Sequence, residues 1–287
     1  YSFTKLLPTW VRDTAWSLTE IAAGLTIALI ISAACSPFIG RQIDQQRGTV
    51  ILAGGGILGA ICLLLLSQVT QLWQFYAVYV GLGVAMSSAL YDPCFAVLTK
   101  TMGEQTQRAI TIVTLAAGFA STIAFPSIFY LEQSIGWRQT LWVLAAVTIF
   151  IGTPLQTYGA YLATKHRVPP KIKQNTSVNI TIGRNPLFWL LALAYATLAY
   201  NHNAILNHLL PLLDEQGLSE QTAVFAASMI GPMQVSGRVL ILMLERRVSS
   251  LGIFITCFVS IIAAALALLT ANYAFAPLFM VGLFVVC

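Results

Sequence analysis

Apolar runs of about 20 residues, separated by short polar connections, organise the whole chain. Each run is long enough for a helix to cross a hydrocarbon layer about 30 Å thick. About eight complete runs, at roughly 17–39, 49–68, 73–98, 108–131, 138–162, 186–210, 219–243 and 250–270, predict full transmembrane helices. Shorter runs at about 1–11 and 273–287 predict two partial ones. Apolar and polar residues do not alternate along these runs, which argues against a transmembrane β-barrel. The predicted class is therefore all-α and integral to the membrane. The chain opens without Met and both ends fall within apolar runs, so the expectation is a fragment or trimmed chain.

Composition agrees with the pattern. The 287 residues are 57% hydrophobic and 9% charged, with a mean hydropathy of +0.79. Soluble domains are about 25% charged, so lipid rather than water must face much of this surface. The net charge of +5 would suit nucleic acid, but its placement points elsewhere. Counting 1–11 as the first run, basic residues follow the even-numbered runs. These are Arg41 and Arg47; Lys100 and Arg108; Lys165, Arg167, Lys171, Lys173 and Arg184; and Arg246 and Arg247. The alternate connections hold only Arg12 and Arg138, and one is acidic with Asp214, Glu215 and Glu220. This asymmetry predicts cytoplasmic even-numbered loops and a cytoplasmic N-terminus, and the expected location is the cell (inner or plasma) membrane. No nucleic-acid partner is expected.

One polar connection is long, KHRVPPKIKQNTSVNITIGRNP at 165–186. It predicts an N-terminal bundle at 1–164, a cytoplasmic linker at 165–185 and a C-terminal bundle at 186–287. Cytoplasmic placement leaves the sequons at Asn175 and Asn179 unglycosylated. The five cysteines lie in apolar runs without CxxC spacing, so neither a disulfide framework nor a metal site is expected.

The loop after the second run reads SPFIGRQIDQQRGTVIL. Its Gly40, Arg41, Asp44, Arg47 and Gly48 resemble the signature loop of the major facilitator superfamily, with one extra residue between Asp44 and Gly48. GRVLILMLERR at 237–247 is a weak echo in the second half, as parallel six-span repeats would produce. The resemblance implies two six-helix bundles, here incomplete, and a cytoplasmic latch formed by this loop. YSFTKLLPTWVRD further resembles the first span of monocarboxylate porters. That likeness implies that Lys5 faces the central cavity and binds an organic anion. GPMQVSGRV matches the porters' eighth span, with Arg238 as the second cation. Gln234 stands where the family carries a proton-coupling Asp.

Each candidate has a plainer reading beside it. Lys5 lies about 12 Å of helix from Asp13 and either faces a cavity or snorkels to the interface. Arg238 either grips a carboxylate with its fork of donors or stabilises a helix end. Asp92, beside a helix-bending Pro93, is either a proton carrier or an ion-pair partner of Arg41 or Arg108. The stretch YNHNAILNH at 200–208 offers His202 and Asn203 for substrate contact, and His202 also for a proton relay. Asn201, Asn207 and His208 belong to the same cluster, with interfacial solvation the simpler role for Asn207 and His208. GGGILG at 54–59 reads as close helix packing rather than a nucleotide loop. Trp10, Trp16, Trp73, Trp137 and Trp189 read as interfacial anchors.

No HExxH, GxSxG, Walker loop or paired catalytic carboxylates occur, so no enzyme, cofactor or metal is expected. The resemblance implies a monomeric secondary transporter that moves a small organic anion by alternating access, with proton symport as the driving mode and, because Gln234 replaces the expected acid, uniport or anion exchange as the alternatives. A drug or metabolite exporter on the same fold is the alternative, and a non-transporting sensor or scaffold a further one.

Overall fold

The computed structural model describes residues 2–165, 185–215 and 219–244, with Gly252, Ile255 and Val259. The described residues are almost entirely helical. In chain order they form α1 (Ser2–Thr14), α2 (Leu18–Asp44), α3 (Gly48–Leu66), α4 (Leu72–Ala89), α5 (Tyr91–Thr101), α6 (Thr106–Gly118), α7 (Ala120–Val147), α8 (Thr153–Lys165), α9 (Pro186–Glu215), α10 (Glu220–Ser228) and α11 (Ile230–Leu244). A π-helical turn, Thr148–Gly152, joins α7 to α8. Among the described residues, four stretches are long and apolar enough to cross a membrane: Leu18–Asp44, Gly48–Leu66, Leu72–Thr101 and Gly103–Lys165. The last is 63 residues long, far beyond the roughly 20 that one crossing requires. Gly136 breaks it with φ 79° and ψ 163°, a conformation that only glycine adopts readily.

The surface is apolar where a soluble protein would be polar. Phe150 is 78% exposed, Val50 70% and Trp73 69%. Lipid in place of water makes such exposure favourable, and these apolar helices mark a multi-pass membrane protein.

Two compact units divide the chain. One holds residues 6–113 and 130–173. Within it α4 packs against α2 and α3, while α8 packs against α3 and α5. The GGGILG stretch supplies the close approach its sequence suggests. A methyl group on Gly55 would come within 2.6 Å of Ser88 Cβ, and Gly56 abuts Thr153. Two of the tryptophans read as interfacial anchors belong instead to this unit's core. Trp10 is 2% and Trp137 9% exposed, stacked edge to face with ring centroids 6.1 Å apart. Arg138 lies over the Trp137 ring and donates to the carbonyls of Ser67 and Val69, closing the α3–α4 connection. At the start of α2, Ser17 and Glu20 form a reciprocal capping box.

The second unit comprises residues 1–5, 114–129 and 174–287. Its described core gathers Phe125, Phe129, Leu209, Leu213, Ala227 and Ile230. Asn185 caps α9 by accepting from the Leu187 N–H, with Pro186 at the first helical position. The break between α10 and α11 has a covalent cause. Pro232 lacks an N–H, so the Ser228 carbonyl four residues earlier loses its helical donor. The Thr122 hydroxyl donates to that carbonyl at 3.1 Å. Beside it, a methyl group on Gly231 would lie 2.6 Å from the Gly118 carbonyl oxygen, so glycine permits the crossing.

The linker at 165–185 with its sequons, Arg246 and Arg247, and the runs expected at 250–270 and 273–287 lie outside the described residues, apart from the few terminal positions named above.

Candidate functional site

A buried cation lies in the second unit. Lys5, on the first turns of α1, has a side chain only 4% exposed. Its Nζ donates to Glu220 Oε1 at 2.8 Å and lies 5.3 Å from the centroid of the Phe129 ring. Glu220 is the first residue of α10, where a carboxylate also suits the helix dipole. Its own side chain is 61% exposed. Snorkelling to open solvent is therefore not what Lys5 does in this conformation. The buried ammonium is thus held in a charge-assisted hydrogen bond to the protein's own carboxylate.

Arg238 is half-buried on α11, and its guanidinium donates to the Thr114 carbonyl of α6. That contact engages part of a donor set with five N–H groups. Gln234 is buried one turn earlier on α11, at the position where the sequence lacks the expected acid. Ser121 Oγ is also buried, with no hydrogen-bond partner among the described residues, so it offers a donor to a water or ligand atom. Asn203 is exposed and spends its amide on the Ala199 carbonyl of its own helix, at 2.8 Å. The side chains of Asn201, His202, Asn207 and His208 lie outside the described residues.

Asp92 sits exposed in the first turn of α5. The structure shows how Pro93 acts there: the helix is interrupted at Leu90, and the Ala89 carbonyl, deprived of its donor, accepts from Gln156 Nε2 at 2.7 Å. Among the described residues Asp92 has no ion pair, so neither Arg41 nor Arg108 holds it in this conformation.

The glycine-flanked loop between α2 and α3 lies in the first unit. Gln45 caps α2, and Gln46 takes φ 65°, a left-handed residue in a Schellman-type ending. The Arg47 N–H reaches back to Gln42 O at 3.2 Å and the Gln46 N–H to Ile43 O at 3.0 Å. Asp44 pairs with Lys100 of α5. Arg47 donates to Gln42 Oε1, and Arg41 is exposed. A small cavity of about 40 Å³ opens beside the Asp44–Lys100 pair, lined also by Gly48 and Val97. Gly48 matters for space, since a methyl group there would come 2.5 Å from Val97 Cγ2. Gly40 faces open space.

Sequence reasoning missed Glu220 as the partner of Lys5. Its signal was present but weak: an acid directly after the helix-capping Ser219, in an otherwise short acidic connection. Glu132, half-buried on α7 and accepting from the Thr9 hydroxyl, was also passed over because it falls at the edge of an apolar run.

Monocarboxylate transporter 11 of Mus musculus is 25% identical over 232 residues, covering 77% of this chain and 48% of that protein. Monocarboxylate transporter 12 of Xenopus laevis is 23% identical over 233 residues, covering 71% and 49% respectively. The chain spans about half the length of the curated relatives it matches. The sequence model of the Major Facilitator Superfamily, a family of membrane carriers rather than enzymes, matches residues 1–287, and the chain belongs to that superfamily.

Proposed function

We propose that the chain forms part of a secondary transporter for small organic anions of the monocarboxylate class, working by alternating access and coupled to protons. The observation that carries this reading is the buried Lys5 ammonium, already matched to a carboxylate at 2.8 Å. Relatives named as monocarboxylate transporters support the same substrate class. In this reading Lys5 and Arg238 bind the substrate carboxylate, with His202 and Asn203 as further contacts. Asp92 and His202 are the proton carriers to test, given that Gln234 cannot carry a proton. Bundles at 1–164 and 186–287, joined by a cytoplasmic linker at 165–185, would rock to expose the site alternately. The Gly40–Gly48 loop would hold one of the two states at the cytoplasmic face of the cell membrane, in a protein acting as a monomer.

The test is uptake of labelled acetate, lactate, pyruvate and oxalate into proteoliposomes containing the full-length protein, with and without an imposed pH gradient. Saturable uptake that grows with the gradient is the expected result. Correctly inserted protein that takes up none of them would sink the anion assignment.

A further inference from the structure

Lys5 and Glu220 form an unequal pair, with the cation 4% exposed and the carboxylate 61% exposed. An ammonium removed from water needs an anion beside it. The protein meets that need with a side chain whose backbone is held independently of the contact. Ser219 accepts from the Thr222 N–H, so the start of α10 is capped without help from the Glu220 carboxylate. The Phe129 ring gives the ammonium a second attractive surface, at 5.3 Å from its centroid. Glu220 is thus free to swing into solvent while the turn that carries it and the platform beneath Lys5 stay in place.

We propose that Glu220 is a tethered stand-in for the substrate's carboxylate, holding Lys5 in the ligand-free protein and yielding it to an incoming monocarboxylate. The proposal rests on the reading of Lys5 as an anion site. Binding becomes an exchange of one carboxylate for another, so the buried ammonium keeps a countercharge throughout. Selectivity follows from the same exchange. A neutral molecule offers nothing that replaces Glu220, whereas a molecule with one accessible carboxylate replaces it directly.

The experiment uses the full-length protein and pyruvate as the probe, measuring binding and the pyruvate-induced rise in Tm for the wild type, Glu220→Gln, Glu220→Asp and Lys5→Gln. Glu220→Gln is expected to lower the ligand-free Tm, because Lys5 loses its contact with the Glu220 carboxylate. It should nevertheless bind pyruvate about three- to tenfold more tightly, since the competitor is gone. Glu220→Asp keeps a shorter carboxylate, preserves the fold and is expected to fall between the two. A purely structural partner would give the opposite coupling, with stability and affinity falling together. Pyruvate affinity unchanged or weakened in both Glu220 variants overturns the exchange, even where Lys5→Gln abolishes binding. Lys5→Gln binding as well as the wild type, or no binding by any of the four, overturns the anion site itself and the exchange with it.

Discussion

Gln46 shows how much a single residue can reveal about a local fold. It occupies the left-handed region at φ 65°, where an L side chain is strained and glycine is not. Gln46→Gly is expected to raise stability by about 0.5–1 kcal/mol, read as a higher Tm in thermal unfolding. Gly136 presents the reverse case, with φ 79° and ψ 163° but open space around its Cα. Gly136→Ala should destabilise by about 1–3 kcal/mol through backbone strain alone, since no neighbour would be struck. A glycine or its absence at such positions is visible in the sequence, yet the backbone angle that gives it meaning is not. The tryptophans carry a similar lesson. Trp73 and Trp10 look alike beside apolar runs, but one is exposed and the other is buried against Phe75 and Trp137. Hydropathy values cannot separate them, because lipid and protein interior are equally apolar surroundings.

At the scale of elements, two of the interruptions trace to proline and are repaired by a neighbouring side chain. Pro93 exposes the Ala89 carbonyl, which Gln156 of α8 satisfies; Pro232 exposes the Ser228 carbonyl, which Thr122 of α7 satisfies. An unsatisfied carbonyl in an apolar setting costs more than an ordinary hydrogen bond contributes. Gln156→Leu and Thr122→Val should therefore each destabilise by about 1–3 kcal/mol. Thr99→Val, which removes a bond only to the Phe95 carbonyl of its own exposed helix face, should change stability by less than about 0.5 kcal/mol. Equal losses from all three variants would show that the repaired carbonyls have no special weight. The proline bend at Asp92 was legible in the sequence, and so was the close packing of GGGILG. The identities of Gln156 and Thr122 as the repairing residues were not, because they lie 67 and 106 positions away from the carbonyls they serve.

For the whole molecule, the functional reading depends on two cations. Replacing Arg238 by Gln removes charge-assisted donors, each worth about 1.5–3 kcal/mol, so carboxylate uptake should fall about 10- to 100-fold. Arg238→Lys should not restore it, because a point charge cannot reproduce the guanidinium fork. Uptake rates in proteoliposomes containing equal amounts of inserted protein decide both. Restoration by lysine would show that charge alone matters at this position, and bidentate recognition would fall.

The sequence by itself determined the class of this protein: helical, membrane-spanning and built from the residues of the Major Facilitator Superfamily. Those properties follow from run length, average hydropathy and short-range motifs, all of which are local sums along the chain. It also determined which residues carried unusual chemistry for their setting, Lys5 and Arg238 foremost. Only the tertiary structure decided what those residues touch. Lys5 meets an acid 215 positions away, Arg238 a carbonyl 124 positions away, and Asp44 the ammonium of Lys100. Partner choice depends on which helix faces touch, and helices apolar on every side give almost no pattern from which that contact can be read.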